Sequence, residues 1–123
     1  VVLEQSTTVT TNSSTAVSAT ITLPASSQIL NFFLDTTVAK VVGAGTATTI
    51  PATVGTAAAG TQYVSSTDLF AGGRAALTFT AAQLSAMANI GTNQSVVITV
   101  DPNGTILTTQ QVVRFTVVYA QTV

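Results

Sequence analysis

Histidine, cysteine and tryptophan are absent from this chain, and charge is nearly so. Without histidine or cysteine, a transition-metal centre has none of its usual ligands. Disulfides and thiolate chemistry are excluded with them, and no redox compartment can be read from the sequence. A Ser–His–Asp arrangement cannot be built, and no Gly-x-Ser-x-Gly elbow occurs. General acid–base catalysis needs titratable groups converging on one point. The available groups are Glu4, Asp35, Asp68, Asp101 and Lys40, scattered along the chain. Asp35 follows the apolar run 29–34, while Asp68 and Asp101 lie among turn residues, so all three read as solubility and turn-capping charges. The expectation is a non-enzyme with no catalytic residue, no metal and no cofactor.

The basic residues are Lys40, Arg74 and Arg114, and the net charge is −1. Affinity for nucleic acid scales with the phosphates a protein neutralises, and three cations are too few for a nucleic-acid partner. Charged residues make up 6% of the chain, against about a quarter in an ordinary soluble domain. No run approaches the roughly 18–20 apolar residues of a spanning helix, so no membrane segment is expected. The longest runs, such as Val96 to Val100, are strand-length and interrupted by threonine. Disordered chains are rich in charge and poor in β-branched residues, the opposite of this composition. The opening Val1-Val2-Leu3-Glu4-Gln5 has neither a basic region nor a long apolar stretch, so no secretory leader is read there. Asp101-Pro102-Asn103-Gly104 superficially resembles part of a calcium loop, but the further acidic ligands are missing and a type I turn accounts for it. Asn12, Asn93 and Asn103 each begin a glycosylation sequon, a pattern that arises by chance in so Ser/Thr-rich a chain.

What is present favours strands. Threonine supplies 25 of the 123 residues, and valine is abundant; β-branched side chains suit a pleated surface. Val17, Ala19, Ile21 and Leu23 alternate with Ser18, Thr20 and Thr22, which predicts a half-buried strand ending at Pro24. Ser27 to Val38 is apolar on both faces through Ile29, Leu30, Phe32, Phe33 and Leu34, and reads as a central strand covered on both sides. Residues 41–60 are rich in glycine and small side chains, with one or two short strands expected near 46–50 and 52–58. Further strands are predicted over 62–70 and 75–80. Thr80-Ala81-Ala82-Gln83 fits a capping box, with Leu84, Met87 and Ala88 at helical spacing. One short helix near 81–89, closed by Asn89 or Gly91, follows. Ser95–Val100 and Gln111–Gln121 are expected to pair around the Asp101–Gly104 turn. In the last strand Val113, Phe115, Val117 and Tyr119 share one face, opposite Val112, Arg114, Thr116, Val118 and Ala120.

These elements predict an all-β fold, a β-sandwich or jelly-roll-like domain. Residues 12–123 form the domain, and residues 1–11 are a strand or an arm. The segment 1–11 carries four threonines, one glutamate and little to anchor it, so an arm reaching another chain predicts a fold that survives its removal.

The segments Thr22–Ile29 (TLPASSQI), Val54–Tyr63 (VGTAAAGTQY), Gly73–Thr80 (GRAALTFT) and Phe115–Gln121 (FTVVYAQ) resemble small structural proteins encoded beside head genes in tailed bacteriophages. The likeness covers most of the chain. It implies a decoration or cement subunit on the capsid surface of a virion, made in the host cytoplasm, commonly a homotrimer of β-sandwich-like domains. The implied partners are the major capsid protein and copies of the chain itself. That family has no defining site motif, so no residue role follows from the likeness. The thin charge departs from the salt bridges that cement proteins often use.

The residues therefore suggest a surface for assembly. Val2 and Leu3 on the arm, Phe33 on the two-sided strand, and the isolated Arg74 and Arg114 are the candidate interface residues. A lone Arg114 in an apolar strand is costly unless paired, either with an aspartate of its own chain or across a subunit interface. The alternative function is a host-recognition or adhesion module such as a head fibre, spike or tail-tip domain. Only Tyr63 and Tyr119 could then serve as sugar-stacking rings.

Overall fold

The computed structural model describes residues 1–88 and 90–121. The strands are β1 (Val2–Thr10), β2 (Val17–Leu23), β3 (Ser27–Val38), β4 (Pro51–Gly55), β5 (Val64–Asp68), β6 (Gln94–Val100) and β7 (Val112–Gln121), with one helix, α1 (Ala81–Ala88). They form an all-β sandwich of two antiparallel sheets, one ordered β1-β7-β3 and the other β2-β6-β4-β5.

Alternation along β2 and β7 becomes alternation in burial, as period 2 requires. Ile21 and Leu23 are buried while Ser18, Thr20 and Thr22 are exposed. Val113, Phe115, Val117 and Tyr119 are all buried from β7. Phe32 lies at the centre of the interior. Its ring stacks on Phe115 with centroids 5.9 Å apart, and tilts against Tyr63 at 5.7 Å and Phe79 at 6.3 Å.

Three expectations about pairing are corrected. First, β3 is an edge strand, and the central strand of its sheet is β7. Its apolarity on two faces comes from a break in register between Ile29 and Asn31. An extra residue there switches the core-facing set from odd to even positions. Ile29 points inward before the break, Phe32 and Leu34 after it, and Leu30 is left 43% exposed.

Second, β6 and β7 do not pair but lie in different sheets. The turn residues between them are used to hold loops together. The Asn103 side-chain carbonyl accepts from the amides of Thr48 and Thr49, and its amide donates to the Thr48 hydroxyl. A Cβ on Gly104 would lie 2.7 Å from the Thr46 carbonyl carbon, so the two backbones touch there. Ile106, buried at 1% exposure, then anchors the crossing between sheets.

Third, residues 75–80 are not a strand. Their alternation still directs Ala75, Leu77 and Phe79 onto the core, and the Ala75 amide donates to the Leu34 carbonyl. They run extended without forming a ladder. In the glycine-rich region, of the one or two short strands expected, one forms, β4, and β5 is shorter than predicted.

The capping box forms as its chemistry requires. The Thr80 hydroxyl accepts from the Gln83 amide at 3.2 Å, and the Gln83 side chain accepts from the Thr80 amide at 2.9 Å. Gln83 also donates to Thr61 O and Ser65 Oγ, tying α1 to β5. The expected helix closure at Asn89 lies outside the described residues.

Residues 1–11 are spent on their own chain. β1 pairs with β7 without a break from Val2↔Ala120 to Thr10↔Val112, and Val9 is buried. Beyond the strand, the Thr11 amide donates to Gln111 O, and the Gln111 amide donates to the Thr11 hydroxyl. The fully buried Gln111 side chain continues to Thr36 Oγ1 and Leu69 O. The pairing that an arm would make with a neighbour is made here within the fold.

Candidate interaction surface

The even-numbered positions of β7 and β1 turn away from the core. Cross-strand register then defines the outer face of the three-stranded sheet. Val2 lies beside Ala120 and Gln28 at one end, and Glu4 beside Val118 and Asn31. Ser6, Thr116 and Phe33 form the middle row, Thr8, Arg114 and Asp35 the next. The bulged Leu30 adds an exposed apolar side chain near the Val2 end.

Four of the chain's seven charged residues belong to this face or its border: Glu4, Asp35, Arg74 and Arg114. The Arg74 guanidinium sits 4.0 Å from the Phe33 ring centroid, a cation–π stack on the outer surface. Residues 73–75 bring it there by bonding along β3: Thr36 N donates to Gly73 O, and Ala75 N to Leu34 O. Arg114 reaches Asp35 at 3.9 Å, with the two side chains 53% and 29% exposed. Its partner is thus an aspartate of its own chain.

Two of the remaining charges serve the backbone. Asp68 accepts from the Ile50 and Phe70 amides, and Lys40 bonds Phe70 O while lying over the Phe70 ring. An exposed ion pair such as Arg114–Asp35 contributes about 0–1 kcal/mol. Arg114→Ala should therefore shift stability by no more than about 1 kcal/mol in urea unfolding; a larger loss would mean that the arginine does more than pair with Asp35.

The structure thus gathers Val2, Phe33, Arg74 and Arg114 on one side of one sheet. Leu3 does not join them. It lies on the opposite face of β1, opposite Tyr119, and is 39% exposed at the strand end. Two features of this face are not signalled by the sequence pattern: Leu30, whose outward direction depends on the bulge, and the hydroxyl pair Ser6–Thr116, whose oxygens are 2.8 Å apart. The alternating hydroxyls of Ser6, Thr8 and Thr10 were the available signal for an outward row.

Tyr63 and Tyr119 are both buried, at 2% and 5% exposure, and burial pushes the Tyr63 phenol pKa up. Neither ring offers a face to a sugar. Among the described residues there is no cluster of three acidic side chains that could hold a metal, and no pocket opens. No described helix is long and apolar enough to cross a membrane. Compared with known proteins, the chain matches no family model, no curated protein and no solved structure.

Proposed function

We propose that this chain is a virion structural protein, a non-catalytic cement or decoration subunit that stabilises a tailed-phage head by bridging major capsid proteins. The observation that carries the reading is the uncovered outer face of the β1-β7-β3 sheet. It places Phe33, Leu30, Val118 and Val2 beside charges of both signs that nearly cancel. Such a face combines an aromatic–arginine anchor with charges whose signs balance, so no net charge opposes a contact there. Apolar contact contributes about 25 cal/mol per Å2, and repetition around a shell multiplies a modest contact into a large effect. The sequence phrases shared in style with phage head proteins point to the same role. The burial of Tyr63 and Tyr119 removes the rings on which an adhesion module would have depended.

The test is binding of the purified chain to empty heads assembled without it. Stoichiometric, saturable binding seen by sedimentation and by cryo-electron microscopy is expected. Phe33→Asp and Arg74→Glu should weaken it, whereas Leu84→Asp on the exposed side of α1 should not. Absence of binding, or equal binding by all three variants, would refute the assignment of this face.

A further inference from the structure

We infer that β1 is a self-pairing edge: two copies of this chain join β1 to β1 antiparallel, making one six-stranded sheet β3-β7-β1-β1-β7-β3. The inference stands apart from the capsid reading, because it needs no head.

The open edge follows from hydrogen-bond parity. Val1 O accepts from Gln121 N and Thr11 N donates to Gln111 O, so the odd residues of β1 bond β7. In an antiparallel ladder the alternate residues direct both N–H and C=O to the other side. Val2, Glu4, Ser6, Thr8 and Thr10 therefore present their backbone groups outward. Among the described residues nothing bonds them.

The other strand edges of the sandwich are handled differently. β3 carries a bulge, is bonded at Ser27 by Ile90 and at Leu34 and Thr36 by residues 73–75, and has its Phe32 amide capped by the Asn31 side chain. β5 has five residues, and its Ser65 carbonyl is taken by the Thr67 hydroxyl. β2 offers its Thr22 carbonyl to the Gln5 side chain. β1 has nine residues, no bulge, no proline and one charge. Natural edges are usually blunted by one of those devices.

The side chains say what fits the edge. Matching faces and bonding parity requires even residues opposite even ones. The two-fold register that uses the whole strand sets Ser6 opposite Ser6, Glu4 opposite Thr8, and Val2 opposite Thr10. Glu4 faces Val118 in its own chain and forms no ion pair there among the described residues. In the pair, the row runs Asp35, Arg114, Thr8 and then Glu4 of the second copy. Arg114 and that Glu4 stand two strand spacings apart, about 10 Å between Cα atoms, on one face. The guanidinium has five donors and can serve Asp35 and Glu4 from its two sides. The centre becomes a hydroxyl row, Thr116, Ser6, Ser6, Thr116, of the kind that stabilises paired strands. A strand already held by β7 loses little further freedom on pairing. An isologous contact of this kind closes at two copies, so it favours a dimer over the trimer expected from the sequence.

Because the chain has no cysteine, single substitutions read the register directly. Ser6→Cys places two sulfurs about 5.5 Å apart by Cα, within disulfide reach. Under mild oxidation Ser6→Cys should cross-link at least about tenfold faster than Val2→Cys, whose copies sit about 27 Å apart. Mixed Glu4→Cys and Thr8→Cys chains should cross-link as heterodimers. Ser6→Pro removes an outward N–H and none of the bonds to β7, so it should abolish the dimer in sedimentation while the circular dichroism of the fold persists. A wild-type chain that sediments as a monomer at its highest attainable concentration would overturn the inference. So would Ser6→Cys linking no faster than Val2→Cys, or equal linking through Thr20→Cys on β2.

Discussion

Replacing Phe32 with alanine is expected to destabilise the domain by about 3–5 kcal/mol, the cost of removing a buried ring and leaving a cavity. The side chain is 1% exposed and lies among Phe115, Tyr63 and Phe79, drawn from β7, the approach to β5 and the segment leading to α1. One truncation thus loosens both sheets and the helix approach together. With a total stability of about 5–15 kcal/mol for a domain of this kind, that is a large share. The melting temperature should fall by roughly 10–25 °C. Phe33→Ala is the matched control, one residue away on the outer face. It loses a half-buried ring and an exposed cation–π contact with Arg74, together about 1–2.5 kcal/mol. Thermal unfolding of the two variants checks the parity after the bulge. Equal losses, or unchanged melting for both, would contradict the placement of β3.

That parity shows which kind of information a sequence carries openly. Alternation in 17–23 and 112–121 named the core-facing residues correctly, because neither strand carries an inserted residue; the bulges of the β3–β7 ladder lie on β3. The capping box at Thr80 was equally legible, since its two bonds lie within four residues. Pairing was not legible. Asp101-Pro102-Asn103-Gly104 has good turn chemistry, yet the bonds of Asn103 go to Thr48 and Thr49, more than 50 residues away. A local rule cannot weigh such a distant partner. The bulge in β3 likewise leaves no composition signal, and without it a doubly apolar run is indistinguishable from a central strand.

The candidate surface was legible in its residues and hidden in its geometry. Phe33, Arg74 and Arg114 stand out in the sequence as an aromatic on a two-sided strand and two isolated cations. Only the register shows that Phe33 and Arg114 lie on adjoining rows, and only residues 73–75 folding back on β3 bring Arg74 over the ring. Leu3, a candidate because residues 1–11 read as a strand or an arm, falls on the other face of β1 from Val2. The open edge could not be read at all, because it depends on which parity β7 takes up.

Deletion of residues 1–11 separates an arm from a strand most sharply, and the expected result is loss of the folded domain. The sequence favoured the opposite outcome, a fold that survives trimming. β1 contributes nine register pairs with β7, and at about 0.2–1 kcal/mol for each cross-strand pair their loss alone removes roughly 2–9 kcal/mol. Val9, 3% exposed, adds about 1.5–3 kcal/mol of apolar burial. The cut also strips Thr11 from Gln111, leaving the amide and carbonyl of a fully buried residue without their partners; each such group costs about 1–3 kcal/mol. The sum is comparable to the whole stability of a domain, about 5–15 kcal/mol. Central β7 would become an edge, and the inner surface of Phe115, Val117 and Tyr119 would be flanked by solvent on one side. Far-ultraviolet circular dichroism and thermal melting of the truncated chain check this. A cooperative transition within a few degrees of the full chain would show that β1 is dispensable for folding and that these losses are overestimated.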